Sequence, residues 1–247
     1  HPNIDINAPF KFIKKTKEKI SEKTALHLAV ENENTEIVEL LLKYPEIDIN
    51  SLYRLYSTSY NSKNIGKIGY TIDDSWEKTS LHIAVEKNNI ELVQLLLERP
   101  EINVNILSKE MHKYECTEPK DKFDPCDSIV KTALYIAVEK QNPMIVNLLL
   151  TNPTIDVNIF YQKWSFNIYK YRDWDLSHKK CKDYEGKEAY YYIEKNAALH
   201  LAVQNENKII VQHLLENPKL DINIVAQKLS DEVEYKNKTA LHIALQR

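Results

Sequence analysis

The chain has 247 residues, of which 43% are hydrophobic and 28% charged, and its formal net charge is −3. This composition suffices for a buried core, and the charge balance excludes both a polyanion and a strongly basic nucleic-acid binder. The three cysteines are too few, and odd in number, for the disulfide framework of a small secreted domain, which favours a reducing compartment.

No targeting or membrane segment is visible in the sequence. The first residues, HPNIDINAPFKFIKKTKEK, lack the apolar stretch of a signal peptide, and no later apolar run approaches the length of a membrane span. We therefore expect a cytoplasmic protein with no direct membrane insertion by this chain. Because the chain begins at His1 and not at Met, an upstream segment would not be seen.

One apolar phrase returns five times along the chain, and each copy predicts a short helix. The copies are TALHLAV (24–30), TSLHIAV (79–85), TALYIAV (132–138), AALHLAV (197–203) and TALHIAL (239–245). In the first copy Thr24 is a suitable helix cap, and Leu26, Ala29 and Val30 share one helical face. Repetition on this scale is typical of an array in which each unit covers its neighbour's apolar face.

A second helix is predicted after each of the first four copies. The segments are TEIVELLL (35–42), IELVQLLL (90–97), PMIVNLLL (143–150) and KIIVQHLL (208–215). Each segment carries a wide apolar stripe, follows an asparagine suited to an N-cap, and is ended by a proline shortly afterwards. We expect Leu149 to be buried, at a position repeated as Leu41, Leu96 and Leu214.

An extended tail closes each unit. The tails EIDIN, EINVN, TIDVN and KLDIN alternate apolar and polar residues toward a final asparagine. We divide the single domain 1–247 into a tail at 1–7, repeats at 24–50, 79–105, 132–158 and 197–223, a partial repeat at 239–247, and long loops at 51–78, 106–131, 159–196 and 224–238. Both ends fall within repeats, as expected for a piece of a longer array.

These phrases resemble the ankyrin repeat, in which TPLHLAA, EIVxLLL and GADVN motifs recur about every 33 residues. The resemblance implies an all-α repeat solenoid of stacked helix pairs, with the loops projecting as long β-hairpin-like fingers. It also implies a non-catalytic scaffold that binds a protein partner through its concave helix face and its fingers. Here the phrases are 55, 53, 65 and 42 residues apart, so the excess length falls in the fingers.

The residues expected to contact the partner lie at the ends of the first helices and in two fingers. The polar pair after each first helix is where the ankyrin family varies its contacts, and these residues are Glu31, Asn32, Glu86, Lys87, Glu139, Lys140, Gln204 and Asn205. Aromatic side chains suit interface anchors because they bury a large area and keep a polar group. The aromatic candidates are Tyr56, Trp76, Trp164, Tyr169, Tyr171 and Trp174.

The third finger, 159–196, supports two interpretations. Its eleven aromatic residues supply the apolar area of an ordered structure, and we expect a hairpin between 166–174 and 189–193, in which most rings would be structural. The segment 163–182 also combines stacking rings with six basic and two acidic residues. Single-stranded nucleic-acid binding is therefore an alternative function.

The turn inside each helix pair departs from the family pattern. Where the family has glycine, this chain has Glu33, Asn88, Gln141 and Glu206. A left-handed backbone costs a residue with a Cβ atom about 1–2 kcal/mol. We therefore expect a modified turn.

Histidines and cysteines leave several interpretations open. His27, His82, His200 and His242 repeat at one position of the phrase, and we interpret them as scaffold residues that hydrogen-bond the adjacent finger. In the second finger His112, Cys116 and Cys126, with Asp121, Asp124 and Asp127, allow a zinc site, a disulfide or free thiols, and His178 and Cys181 form a sparser pair in the third. With three glycines, no phosphate-binding loop can be built, so we expect no enzyme or cofactor, and without a paired Cys-x-x-Cys signature we expect no metal.

Overall fold

The structure, a computed structural model, describes residues 5–14, 18–61, 70–116, 126–166, 171–175, 180–183, 188–189, 191–229 and 237–246. Its helices are α1 (Ala25–Glu31), α2 (Thr35–Leu42), α3 (Ser80–Glu86), α4 (Ile90–Leu97), α5 (Ala133–Glu139), α6 (Pro143–Leu150), α7 (Ala198–Gln204), α8 (Lys208–Leu215) and α9 (Ala240–Ala244). Helices α1 to α8 pack in pairs, equivalent helices of successive repeats pack against one another, and α9 packs against α7. In the described part of the chain, no helix combines the length and the apolar character that crossing a bilayer requires.

Polar side chains fix where these helices begin, except at α7, whose N-cap is Ala197. The Thr24 hydroxyl accepts a hydrogen bond from the backbone N–H of His27 at 3.4 Å, and the Asn34 side chain accepts one from Ile37 at 3.0 Å. In α6, Asn142 is the cap and Pro143 follows it. The first turn of a helix has no acceptor for its backbone N–H groups, so proline, which has no N–H, loses no hydrogen bond there. The stack therefore forms its helices where the repeated caps predict them.

One continuous core runs through the stack. The first helices contribute Leu26, Leu81, Leu134 and Leu199, and the second helices contribute Leu92, Leu96, Ile145, Leu149, Ile210 and Leu214, all fully or almost fully buried. Small Ala84, Ala137 and Ala202 let the first helices approach closely. The tails add Ile49, Val104 and Val157 to the same cluster. Each repeat thus buries the apolar face of its neighbour.

Strands from successive fingers join one nine-stranded sheet, and the expected all-α class is wrong. The strands are β1 (Phe10–Lys14), β2 (Glu18–Lys23), β3 (Tyr53–Asn61), β4 (Tyr70–Lys78), β5 (Leu107–Cys116), β6 (Cys126–Thr132), β7 (Tyr161–Phe166), β8 (Tyr171–Asp175), β9 (Lys180–Asp183), β10 (Glu188–Ala189), β11 (Tyr191–Asn196) and β12 (Gln227–Leu229). Nine of them pair in the order β1-β2-β3-β4-β5-β6-β7-β11-β12. With twelve strands beside nine helices in the described residues, the protein is a mixed α and β repeat structure.

Neighbouring fingers pair because the distance between equivalent helices matches the width of two strands. Equivalent helices of adjacent repeats pack about 8–10 Å apart. Each finger adds two strands, and two strand spacings of about 4.8 Å give the same advance. The last strand of one finger therefore reaches the first strand of the next, so that Trp76 of β4 lies opposite Glu110 of β5. Residues 10–14 and 18–23, which the sequence analysis assigned to no repeat, supply β1 and β2 to this sheet.

The third finger is divided between two sheets. Its outer strands β7 and β11 pair with each other, with Phe166 opposite Tyr191, and with the neighbouring strands β6 and β12. Its inner strands form a separate sheet in the order β10-β9-β8, with Trp174 opposite Cys181. The predicted pairing of 166–174 with 189–193 is therefore wrong for 171–174 and for Ala189, which pair with β9, while residues 167–170 and 190 lie outside the described residues. Strands β7 and β11 pair with strands of the neighbouring fingers, and the strands between them, β8 to β10, pair with one another.

The turn residues adopt the left-handed conformation, so the expected modified turn is wrong. The φ angles of Glu33, Asn88, Gln141 and Glu206 are 55°, 58°, 55° and 55°. The backbone N–H groups of Glu33 and Asn34 donate to Val30 and Ala29, both at 3.0 Å, which satisfies carbonyls at the end of α1. Side chains also join repeats here, because Asn89 Nδ2 donates to Glu33 Oε2 at 3.1 Å and Asn142 Nδ2 donates to Asn88 Oδ1 at 2.7 Å.

Restoring glycine at Gln141 is expected to stabilise the protein. Removing a left-handed penalty of about 1–2 kcal/mol outweighs the added backbone freedom of glycine, about 0.4–1 kcal/mol. The free energy of unfolding in urea should rise for Gln141→Gly. The matched variant Asn88→Gly should show no gain, because asparagine tolerates this conformation and Asn88 accepts the bond from Asn142. A destabilised Gln141→Gly protein would contradict the prediction.

The closing asparagine of each tail fastens one repeat to the next. Asn50 Nδ2 donates to the carbonyl of Glu101 at 2.7 Å, and Asn50 Oδ1 accepts from the N–H of Asn103 at 2.8 Å. Asn7, Asn105 and Asn158 bind the following tails in the same way. These bonds fix the bases of successive fingers relative to one another, which holds the strands above them in register.

Candidate functional site

A cleft opens between the first helices and the finger that follows the first repeat. Its volume is about 390 Å³. The cleft is bounded by α1 and α3 on one side and by β3 and β4 on the other. Its lining residues are Glu31, Tyr53, Leu55, Trp76, Lys78, Ile83, Glu86 and Lys87. We call the side of the nine-stranded sheet that lines this cleft the inner face, and the opposite side the outer face.

Strand alternation gives the cleft an apolar floor. Successive residues of a strand face opposite sides, so Tyr53 and Leu55 share the inner face of β3. Trp76 lies directly opposite Leu55 on β4. From the helices, the buried side chain of Ile83 closes the floor. The sequence analysis missed Tyr53, Leu55, Lys78 and Ile83 as site residues, although alternation from Trp76 along its own and the paired strand is the signal that finds the first three.

Three of the predicted carboxylates are held by lysines at the bases of the fingers. Lys78 Nζ lies 2.7 Å from Glu86 Oε1, Lys131 Nζ lies 2.8 Å from Glu139 Oε2, and Lys23 pairs with Glu31. All three pairs are partly exposed, so each is worth about 1 kcal/mol or less in stability. Their geometric effect is that the end of a strand is tied to the end of a first helix, which sets how the finger stands over the cleft.

The second members of the predicted polar pairs are helix C-caps. Asn32, Lys87, Lys140 and Asn205 end α1, α3, α5 and α7 in turn. Lys87 Nζ lies 3.8 Å from Glu33 Oε1 of the preceding repeat. Of the predicted site residues, the cleft brings together Glu31, Glu86, Lys87 and Trp76. It does not include Asn32, Glu139, Lys140, Gln204 or Asn205.

The remaining aromatic candidates do not line the cleft. Tyr56, which is 43% exposed, lies on the outer face of β3, and Trp164, which is 41% exposed, lies on the outer face of β7. The sheet separates both of them from Trp76. Tyr171 and Trp174 belong to β8 of the smaller sheet. Their side chains, and the whole of Tyr169, lie outside the described residues.

Next to the cleft, the inner face is acidic. Asp74 of β4 lies opposite His112 of β5, and His112 lies opposite Asp127 of β6. His112 Nδ1 is 2.6 Å from Asp74 Oδ1, and His112 Nε2 is 3.4 Å from Glu110 Oε1. Burial disfavours the charged imidazole, but the hydrogen bond to Asp74 and the charges of Asp74 and Glu110 outweigh it and raise the pKa of His112. We call Asp74, Glu110 and Asp127 the acidic patch, which Trp76 joins to the cleft through its edge-on contact with His112.

Two of the repeated histidines, His27 and His200, bind the adjacent finger, whereas His82 Nε2 is buried with no hydrogen-bond partner in the described part of the chain. His27 Nδ1 accepts a hydrogen bond from the N–H of Thr24 at 3.2 Å, and its Nε2 donates to the carbonyl of Ser51 in the next finger at 3.0 Å. His200 makes the equivalent bonds with Ala197 and Ile224. Burial lowers the pKa of His27 to about 4. The ring is therefore neutral at pH 7, and its bonds to the finger support the scaffold interpretation.

The strand register tests the cysteine alternatives in the second finger. Cys126 lies opposite Lys113, three residues before Cys116. Three residues of strand span about 10 Å, whereas bridged Cα atoms lie within about 7 Å, so this pairing excludes the Cys116–Cys126 disulfide. Within the described ranges, no group of three His, Cys, Asp or Glu side chains is arranged to hold a metal ion. Asp121, Asp124 and His178 lie outside those ranges.

Comparisons with known proteins agree with this architecture. The family described as "Ankyrin repeats (3 copies)" matches residues 11–108 and 67–161, and the family described as "Ankyrin repeat" matches residues 194–227. A Caenorhabditis elegans protein named "Transient-receptor-potential-like protein" is 25% identical over 199 residues, which cover 70% of this chain. The chain spans only 18% of the length of that relative.

Proposed function

This chain belongs to the ankyrin-repeat family, and we propose that it is a non-catalytic scaffold whose protein partner binds in the cleft between α1, α3 and the strands β3 and β4. Ankyrin repeats indicate a protein-interaction module. The observation that carries the proposal is the convergence of Glu31, Glu86, Lys87 and Trp76 on one cleft, from two helices and a strand.

The chemistry of the cleft suits an anchor for one partner side chain. Tyr53 and Trp76 offer large apolar area with few rotatable bonds, which lowers the entropy cost of binding. Around them, the Lys78–Glu86 pair supplies a donor and an acceptor for partner backbone groups. A stable interface buries roughly 800 Å² on each partner, so the cleft is the centre of a larger contact. The exposed helix ends at Asn32 and Lys140 extend that contact along the stack.

The alternative function and the location stay predictions. Much of the segment proposed to bind single-stranded nucleic acid, including 167–170 and 176–179, lies outside the described residues. The cytoplasmic location rests on the sequence alone.

Trp76→Ala is expected to abolish partner capture. It removes the largest aromatic side chain of the cleft, and loss of a central anchor typically costs about 2 kcal/mol or more, or at least a thirtyfold weaker complex. The matched control is Tyr56→Ala, which removes an exposed aromatic from the outer face of the adjacent strand. Affinity purification with the tagged chain and quantitative mass spectrometry would compare the two variants with the wild type.

Captured proteins whose binding requires Trp76 but not Tyr56 would support the cleft as the binding site. If Tyr56→Ala and Trp76→Ala deplete the same proteins equally, or if neither depletes any, the proposal is wrong. Thermal unfolding of both variants establishes that they remain folded. A parallel titration with labelled single-stranded oligonucleotides at two salt concentrations tests the alternative, because phosphate binding weakens steeply with salt.

A further inference from the structure

We propose that the partner enters the cleft as an extended segment in which an apolar side chain is followed, two residues later, by a lysine or arginine that binds the acidic patch. This inference rests on the proposed function and names the chemistry of its partner. The apolar side chain would contact Trp76 and Ile83, and the basic group would lie against Asp74, Glu110 and Asp127. Both surfaces belong to one continuous part of the inner face.

The acidic patch is a concentration of negative charge with little local compensation. Three carboxylates surround the single imidazole of His112, contributed by β4, β5 and β6. The side chains of Asp74, His112 and Glu110 are 24%, 29% and 37% exposed, so a partner group can reach them. Asp127 Oδ1 is buried and has no hydrogen-bond donor in the described part of the chain.

Nearby lysines are already engaged. Lys78 and Lys131, which lie on the same face closer to the helices, are bound by Glu86 and Glu139. Lys163 of β7 lies on this face too, opposite Ile129, one strand beyond Asp127. The acidic patch therefore keeps a net negative charge even when His112 is protonated. A basic group from a partner complements it.

The spacing of the sheet sets the spacing of the partner's side chains. Trp76, Glu110 and Asp127 lie on three successive strands, which are about 4.8 Å apart. A segment that crosses these strands in an extended conformation places same-side residues i and i+2 about 6.7 Å apart. With residue i over Trp76, residue i+2 lies between Glu110 and Asp127. The expected pattern is therefore apolar, any residue, then Lys or Arg.

His112 makes this recognition depend on pH. The groups that face it are Asp74 on β4, Glu110 on β5 and Asp127 on β6, with Lys163 farther along the face. Once protonated, the imidazole competes with the partner's basic group for the same carboxylates. Affinity for a basic segment should therefore rise as pH increases through the titration of His112 and fall as pH decreases.

A phage-displayed library of random heptapeptides, selected on the purified chain at pH 8, tests the inference. We expect enrichment of peptides with an apolar residue followed at i+2 by Lys or Arg. A synthetic peptide of the consensus sequence, labelled with fluorescein, would then be titrated by fluorescence polarisation. Glu110→Gln should weaken its binding about tenfold, the usual scale for a lost charge-assisted bond. The matched control Glu77→Gln, on the outer face of β4 and paired with Arg54, should leave binding unchanged.

The pH profile provides an independent readout. The wild type should bind the peptide several times more weakly at pH 6 than at pH 8, whereas His112→Gln should bind equally at both. Enriched peptides that need Trp76 but show no basic preference would overturn this inference and leave the proposed function standing. No enrichment, or enrichment that survives Trp76→Ala, would overturn both. Because Glu110 is partly exposed, Glu110→Gln is expected to fold, and thermal unfolding of each variant verifies this.

Discussion

Replacing Leu149 by alanine is expected to lower the free energy of unfolding by about 2–5 kcal/mol, the usual cost of emptying a buried leucine site. Leu149 is fully buried, and its helix α6 packs between α4 and α8. Close packing on both sides leaves neighbouring side chains little freedom to fill the cavity. Urea unfolding followed by circular dichroism would measure the change.

The equivalent leucine of the first repeat is the matched control. Leu41 is only half-buried, because α2 packs against α4 and no earlier helix pair covers it in the described part of the chain. Leu41→Ala should therefore cost clearly less than Leu149→Ala. A loss below about 1 kcal/mol for Leu149→Ala, typical of a surface change, would show that the buried face is assigned wrongly.

Acidification from pH 6.5 to pH 4 is expected to destabilise the protein strongly. Burial lowers the pKa of both His27 and His82 to about 4, from an ordinary value of 6.5. As pH falls through this window, the unfolded chain binds protons that the folded chain does not, so folding stability decreases. Each histidine accounts for up to about 3 kcal/mol, at 1.36 kcal/mol for each pH unit. The contribution of these two histidines is fully present above pH 6.5.

The local geometry explains why the folded rings resist protonation. His27 Nδ1 accepts the N–H of Thr24, and a proton on Nδ1 would break that bond at the start of α1. His82 makes the same contact with Thr79, at 3.2 Å. His112, whose pKa is raised, has the opposite effect on folding stability, since the stability that its protonation contributes is lost as pH rises. The slope of stability against pH is therefore best measured between pH 4 and 6.5.

Two substitutions test whether the buried histidines cause the loss of stability at low pH. His82→Gln removes one buried titrating group and should reduce the slope of unfolding free energy against pH. His242→Gln, at the equivalent but exposed position of the last repeat, is the matched control for the loss of a capping imidazole. An identical slope in the wild type and His82→Gln would show that the buried ring does not control acid stability.

The sequence by itself determined the helices and the core. Thr24, Asn34 and Pro143 cap helices through hydrogen bonds within a few residues, so a local pattern suffices to predict them. Leu149 was assigned to the core because its position recurs in every repeat, and recurrence reveals the face that stacking must bury. The left-handed turn was missed, because the penalty at Gln141 was weighed without the closing hydrogen bonds that outweigh it.

The tertiary structure alone decided the sheet and the candidate site. Whether two fingers pair depends on the distance between equivalent helices of successive repeats, which no single repeat encodes. Because that distance matches two strand spacings, β4 pairs with β5. Trp76 and Tyr56 look equivalent in the sequence, yet strand alternation and register place Trp76 in the cleft and Tyr56 on the outer face. Asp74, His112 and Asp127 are far apart along the chain and meet only because three strands bring them together.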